Sequence, residues 1–298
     1  MKNFILITSI VFAGLIISSC SDIRENLPEA PDLSMHKDGF IIPGSPNFHG
    51  NVIRNSNWDM NECKQCHAAD YNGGTANASC YNCHSNPGGP EACNTCHGES
   101  SDPLRWSPPQ SLSGEINPSE RGVGAHLKHL IDNGIGLAVS CTECHTLPSS
   151  FNDPNHIDKT SGAEIIFGDF SQLVTNIPTG FSYDQSLGDF IPNPTFNPSD
   201  ATCSNTYCHG YFKNGNTTNV VAFTSQSEGA KCGSCHGDPN TGIPTPRTIE
   251  QGGTHPVVTN CAQCHPGVFE FDGTNYTIID KSKHINGKLN IFGREEVY

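Results

Sequence analysis

The sequence predicts a mostly irregular chain with short α-helices and few short strands. Glycine and proline number 30 and 21 among 298 residues, and both interrupt regular elements. From Cys20 onward, Leu, Ile, Val and Phe make up only 52 of 279 residues. This apolar content is close to that of intrinsically disordered chains, in which buried apolar surface is too small to offset the conformational entropy. A stable fold therefore needs a further source of apolar surface.

One short cysteine pattern recurs along the chain. Six copies read C-x-x-C-H, and a seventh has four residues between its cysteines; together they use 14 of the 15 cysteines. C-x-x-C-H is the attachment signature of c-type haem, in which two thiols bind the porphyrin and the histidine binds its iron. The predicted thioether cysteines are Cys63, Cys66, Cys80, Cys83, Cys93, Cys96, Cys141, Cys144, Cys203, Cys208, Cys232, Cys235, Cys261 and Cys264. The predicted proximal ligands are His67, His84, His97, His145, His209, His236 and His265.

Structural zinc and a disulfide framework are the alternatives for a cysteine-rich chain. A zinc site does not need a histidine directly after its second cysteine, whereas every pair here has one. We therefore predict seven covalently bound haem c groups. These large apolar plates would form the core of a haem-cored multihaem cytochrome, and the haem-free chain is expected to be unfolded.

Each haem iron has a second axial position. The chain has 14 histidines, so the number outside the motifs equals the number of haems. The predicted distal ligands are His129, His156, His255, His284, His126, His49 and His36. Met35 and Met60 are the sulfur alternatives in the mature chain, and any single histidine can instead be a surface or propionate-bonding group.

The amino terminus predicts export. Residues 1–19 combine Lys2 with an apolar run that is too short for a membrane span and typical of a signal peptide. The run before Cys20 resembles the lipobox of bacterial lipoproteins, which implies cleavage before Cys20 and lipidation of its thiol. An ordinary secretory signal is the alternative. Since Ser21 stands where a retention signal would have aspartate, we expect an outer-membrane lipoprotein on the periplasmic or cell-surface face.

The mature chain divides into two haem modules. Residues 20–57 read as a flexible tether and residues 58–100 as a three-haem N-terminal module. Residues 101–118 are a linker rich in proline and serine, and residues 119–298 are a four-haem module.

Three regular elements are expected in the second module. A helix from Ser119 to Asn133 would carry His126 and His129 on one face. Ser199-Asp200 is expected to cap a short helix that carries the stretched motif. Two apolar runs, 268–271 and 276–279, flank Asp-Gly-Thr-Asn and predict a hairpin.

The second module also contains an internal repeat. His156-Ile-Asp leads to Gly-Ala-Glu-Ile-Ile-Phe-Gly, and His284-Ile-Asn leads to Gly-Lys-Leu-Asn-Ile-Phe-Gly. Each copy follows a C-x-x-C-H that is itself preceded by a further histidine, His126 or His129 in one case and His255 in the other. We interpret this as a repeated unit of ligand histidine, haem motif and return histidine.

These motifs resemble a known family. Cys203-Ser-Asn-Thr-Tyr-Cys208-His, followed by two C-x-x-C-H motifs and His284-Ile-Asn-Gly-Lys, is similar to the CxxxxCH/CxxCH multihaem cytochromes of Geobacter-type metal-reducing bacteria. The resemblance covers about residues 119–298, whereas residues 58–100 contain no motif that is specific to a family. It implies periplasmic or outer-surface electron transfer. The implied partners are other multihaem cytochromes, outer-membrane porin–cytochrome assemblies, or an extracellular metal oxide or other acceptor.

The net charge and the predicted haem ligands limit the classes of function that this chain can have. The net charge of −14 disfavours nucleic acid as a partner. We expect an electron carrier without catalytic residues, because a haem with two histidine ligands has no open face. The alternatives are a reductase of nitrite, hydroxylamine or a sulfur oxyanion, with one open haem beside Arg105 or Arg121, and a subunit of a cytochrome filament.

Overall fold

The computed structural model describes residues 34–98, 111–131, 134–157, 162–175, 190–225, 230–258 and 260–297. Cys20, the predicted signal peptide and Arg105 lie outside these residues. The chain forms two compact units, residues 1–55 and 56–298. In the first unit, the described part consists of turns and helix α1 (His49–Asn55). The sequence analysis assigned this segment to the tether and predicted no helix there.

The helices of the second unit are short. The α-helices are α2 (Lys64–His67), α3 (Cys93–His97) and α4 (His126–Leu130). Further single turns are 3-10 helices at Asn61–Cys63, Gly74–Ala76, Cys80–Asn82, Gly89–Glu91, Cys141–Glu143, Tyr207–His209, Ile249–Gln251, Cys261–Gln263 and Lys281–Lys283. Most of the haem motifs lie on such turns, as expected for motifs with glycine and proline between them.

The predicted helix from Ser119 to Asn133 is wrong in its extent, since α4 is its only helical part among residues 119–131, which the structure describes. Gly124, two residues before α4, has a φ of +44°, which an α-helix does not accept. The ring of Phe223 approaches within 2.0 Å of the place where a β-carbon on Gly124 would lie. A side chain at position 124 is therefore excluded both by the backbone and by Phe223.

The strands form small antiparallel sheets. Strands β1 (Asn72–Gly73) and β2 (Ala78–Ser79) pair, and β3 (Thr195–Asn197), β4 (Thr202–Ser204) and β5 (Val221–Ala222) follow in that order. The later strands are β6 (Phe269–Phe271), β7 (Tyr276–Ile278), β8 (Lys288–Ile291) and β9 (Arg294–Val297), paired as β6–β7 and β8–β9. The β6–β7 pair confirms the predicted hairpin, whereas the helix expected after Asp200 is wrong, because β4 occupies that place.

Side chains alone form only a small apolar core. Within the described ranges, the buried hydrophobic residues are Met60, Tyr71, Ala92, Val123, Ala201, Tyr207 and Val268. Many larger aliphatic side chains are exposed, including Ile116 and Leu137. The fold is thus mostly irregular with few short helices and small sheets, which confirms the predicted class. Among the described residues, no helix has both the length and the apolarity needed to cross a bilayer.

Candidate haem sites

Three of the haem motifs have the same local structure. Their 3-10 turns are Cys80–Asn82, Cys141–Glu143 and Cys261–Gln263. In each, the N–H of the motif histidine donates to the carbonyl of the first cysteine at 2.9 Å. The residue before each first cysteine caps the turn, because its side-chain oxygen accepts a hydrogen bond from the backbone N–H two residues later. These capping residues are Ser79, Ser140 and Asn260. Serine and asparagine are strong N-cap residues, so the sequence contains a signal for these turns that the sequence analysis missed.

The stretched motif begins in a strand and ends in a turn. Cys203 lies in β4 opposite Phe196 of β3, and Cys208 lies in the turn Tyr207–His209. Between them, Asn205 has a φ of +57°, a conformation that asparagine tolerates better than most residues. The two extra residues therefore allow one thiol to remain in a sheet while the other lies beside its histidine. Burial raises the pKa of Cys208 to about 12 and that of Cys203 to about 11.

The motif at Cys232–His236 has no helix and is held from outside by one side chain. The two N–H groups of Asn216 Nδ2 are shared among the carbonyls of Gly233, Ser234 and Gly237, at 2.9, 3.0 and 3.2 Å. The N–H of Asn216 donates to the carbonyl of Cys235 at 2.9 Å. Each such bond contributes about 0.5–1.5 kcal/mol, so Asn216 replaces the helical bonds that this motif lacks. The sequence analysis did not identify it.

Five motif histidines each face a histidine from outside the motifs. The ring centres are 6.0–6.5 Å apart in every pair. The pairs are His97 with His156, His145 with His126, His209 with His129, His236 with His284, and His265 with His255. The structure thus brings these five predicted distal ligands next to predicted proximal ligands.

Backbone hydrogen bonds fix the orientation of most of these rings. In eight of the ten, Nδ1 lies 2.5–2.9 Å from a backbone carbonyl, to which it donates. The longest connection in sequence joins His284 to the carbonyl of Ile135, at 2.7 Å. When Nδ1 carries the proton, the lone pair is on Nε2, and this is the arrangement of metal-binding imidazoles.

The spacing of the paired rings fits one iron atom between them. An imidazole nitrogen binds a transition metal at about 2.0 Å and lies about 1.2 Å from its ring centre, so two opposed ligands have centres about 6.4 Å apart. The observed separations, from 6.0 to 6.5 Å, agree with that value. None of the fourteen motif cysteines forms a disulfide, so each is available for a thioether bond. No group of three or more metal-binding side chains forms a metal cluster among the described residues.

Burial keeps one of the paired imidazoles neutral. The pKa of His236 is lowered to about 4, chiefly because the ring is removed from water, and the nearby His284, His255 and His265 lower it further. A neutral ring at physiological pH has the lone pair that iron binding needs. The thiol of Cys235, close to His236 in the chain, also has a raised pKa of about 11 because of burial.

The two remaining distal candidates lie in the N-terminal unit, close to one aromatic ring. His36 stacks on Phe40 with ring centres 4.0 Å apart, and Nδ1 of His49 lies 3.0 Å from the carbonyl of Phe40. In the second unit, Nδ1 of His67 donates to the carbonyl of Ala78 at 2.9 Å. Distal ligation by His36 and His49 stays a prediction, as does the identity of the distal ligands for His67 and His84.

Two phenylalanines that the sequence analysis missed lie between neighbouring histidines. Phe223 is 5.0 Å from His126 and 6.3 Å from His129, measured between ring centres. Phe269 is 6.2 Å from His265 and 5.6 Å from His284. Neither phenylalanine belongs to a motif, and only the folded chain reveals their position.

Arg121 does not line a histidine pair. Its guanidinium donates to the backbone carbonyls of Pro198 and Ser199, which positions it against the loop before β4. The proposed role of Arg121 as a donor beside an open haem therefore receives no support from its contacts. Arg105, the other residue considered for that role, lies outside the described residues.

Comparison with known proteins identifies one family pattern. Residues 202–236 match the Geobacter CxxxxCH...CXXCH motif, which joins the stretched motif to the motif at Cys232–His236. The chain is thus multihaem c-type cytochrome-like in this region, and its repeated cysteine pairs indicate several covalent haems. No curated protein and no solved structure is similar enough to this chain to count as a match.

Proposed function

We propose that this protein is a seven-haem electron carrier in which each iron is held between two histidines. The observation that carries the proposal is the set of five imidazole pairs with centres 6.0–6.5 Å apart. Each pair joins a haem-motif histidine to a histidine elsewhere in the chain. Two further motifs, at Cys63–His67 and Cys80–His84, complete the proposed number of seven.

The residues of the chain perform two tasks in this proposal. The motif cysteines would hold each haem covalently, and the paired imidazoles would bind its iron from both sides, which would leave no face for a substrate. When bound, the haems supply one-electron chemistry at iron. Histidine ligands on both sides favour a lower potential than a methionine ligand would. Burial and the Nδ1 hydrogen bonds then adjust the basicity of each imidazole.

The location and partners form a further part of the proposal. Cleavage before Cys20 and lipidation of its thiol would anchor the chain at the outer membrane, on the periplasmic or cell-surface face. Other multihaem cytochromes, or a porin–cytochrome assembly, would then exchange electrons with it, and an extracellular metal oxide is one terminal acceptor of the right kind. The net charge of −14 supports cationic or metal-bearing partners and disfavours nucleic acid.

Haem counting combined with carbon monoxide binding tests the electron-carrier proposal. We expect the intact mass of the mature protein to exceed the polypeptide mass by seven haems. The dithionite-reduced protein is expected to leave its visible spectrum unchanged on addition of carbon monoxide, because every iron has two histidine ligands. A protein with fewer haems would contradict the number, and stoichiometric carbon monoxide binding by the native protein would favour a reductase with one open haem.

A further inference from the structure

The two repeat units of the second module use their upstream histidines in the same way. The first unit contains the motif that ends at His145, and the second contains the motif that ends at His265. The ring of His126 lies 6.2 Å from that of His145, and the ring of His255 lies 6.5 Å from that of His265. In both units, therefore, the upstream histidine faces the motif histidine of its own unit.

The return histidines of the two units face a different motif. The ring of His156 lies 6.0 Å from that of His97, which belongs to the motif before the first unit. The ring of His284 lies 6.3 Å from that of His236, which belongs to the motif before the second unit. In both units, the return histidine therefore faces the histidine of the haem motif that precedes the unit.

The segment after each return histidine also binds its own motif in the same way. Nδ1 of His145 donates to the carbonyl of Glu164 at 2.9 Å, and Nδ1 of His265 donates to that of Asn290 at 2.6 Å. The carbonyl of the second motif cysteine accepts the N–H two residues further on, from Ile166 in the first unit and from Phe292 in the second. These contacts are equivalent in the two units. They shift the register of the repeat by one residue from the Ile-Phe-Gly alignment.

We propose that each repeat unit supplies axial ligands to two haems, with its upstream histidine on its own haem and its return histidine on the haem of the preceding motif. This assignment rests on the proposed function, because it concerns the ligands of the same haems. As a consequence, adjacent haem sites depend on each other for their ligands. The haem at Cys93–Cys96 is completed only by the unit that follows it, and so is the haem at Cys232–Cys235.

The angle between the paired rings gives the two sites that contain the histidines of the second unit different spectroscopic signatures. The planes of His255 and His265 are nearly parallel, at 9°, whereas those of His236 and His284 are nearly perpendicular, at 80°. Parallel imidazoles split the iron d-orbitals that hold the unpaired electron of low-spin ferric haem, which gives a rhombic paramagnetic resonance spectrum. Perpendicular imidazoles leave these orbitals nearly degenerate, which gives a highly anisotropic signal with one large g value.

Substitution of the two histidines of the second unit tests the assignment. In the full-length, haem-loaded, oxidised protein, His284→Ala is expected to remove one low-spin signal of the large-g type and to add one high-spin iron. His255→Ala is expected to remove one rhombic low-spin signal and to add one high-spin iron. Intact mass must show the same number of haems in both variants as in the native protein, which separates ligand loss from failed maturation.

Three outcomes would overturn the assignment. These are loss of a rhombic signal in His284→Ala, loss of a large-g signal in His255→Ala, and no new high-spin iron in either variant. If an alanine variant does not mature, His284→Met keeps an axial ligand and is expected to alter only the large-g component; a change in a rhombic component would count against the proposal. The proposed function fails separately, if the native protein itself shows no low-spin ferric haem.

Discussion

The haem-free protein is expected to show no cooperative unfolding transition. Only 52 of the 279 residues from Cys20 onward are Leu, Ile, Val or Phe, and few of the described side chains are buried and apolar. Fixing one residue costs roughly 1–2 kcal/mol of backbone entropy, which so small an apolar core cannot offset. Covalently attached porphyrins would supply the missing apolar surface.

This expectation can be measured on two forms of one chain. The mature protein is compared, by circular dichroism and calorimetry, with a variant in which alanine replaces all fourteen motif cysteines. We expect the variant to have the spectrum of an unfolded chain, whereas the haem-loaded protein melts cooperatively. A haem-free chain that melts with an enthalpy near the usual value, about 0.7 kcal/mol per residue, would refute the idea that the haems form the core.

Replacing one distal histidine is expected to convert a closed haem site into an open one. His129 on α4 faces His209 of the stretched motif, with ring centres 6.0 Å apart. Its Nδ1 donates to the carbonyl of Ala125 at 2.9 Å, so the side chain is held in place by its own helix. In His129→Ala, the iron at Cys203–Cys208 loses one ligand, and the reduced protein should bind about one carbon monoxide per chain, where the native protein binds none.

Two controls separate ligation from damage to the helix. His129→Met keeps a ligand atom, so it should bind no carbon monoxide, and the potential of that one haem should rise because methionine favours the ferrous state. Lys128→Ala, on the same short helix, should behave as the native protein does. If His129→Ala binds no carbon monoxide, or if Lys128→Ala binds as much, His129 is not an axial ligand.

The sequence was sufficient to predict the features that depend only on residues close together in the chain. The cysteines and histidine of each haem motif lie within five to seven residues of sequence, and the β6–β7 hairpin follows from a four-residue turn between two apolar runs. Secondary-structure elements whose ends depend on residues distant in sequence were predicted less well. The helix expected from Ser119 is limited to α4 by the backbone of Gly124 and the ring of Phe223, which lies far away in sequence.

Ligand pairing is the part that the sequence leaves open. Histidine counting matches each haem with a distal ligand but does not say which one. His97 and His156 are separated by the whole of α4 and another motif, and His284 is oriented by the carbonyl of Ile135. Such contacts depend on tertiary packing, and no local periodicity encodes them. The repeat indicates that the histidines act together, and only the structure indicates that they do so across adjacent motifs.

An anomalous difference map, collected at the iron absorption edge from crystals of the haem-loaded protein, locates every iron atom in the chain. We expect one iron peak midway between the two rings of each of the five histidine pairs, with two further iron peaks beside His67 and His84. Iron peaks away from the paired rings, or peaks at the zinc edge instead, would rule out iron held between paired histidines.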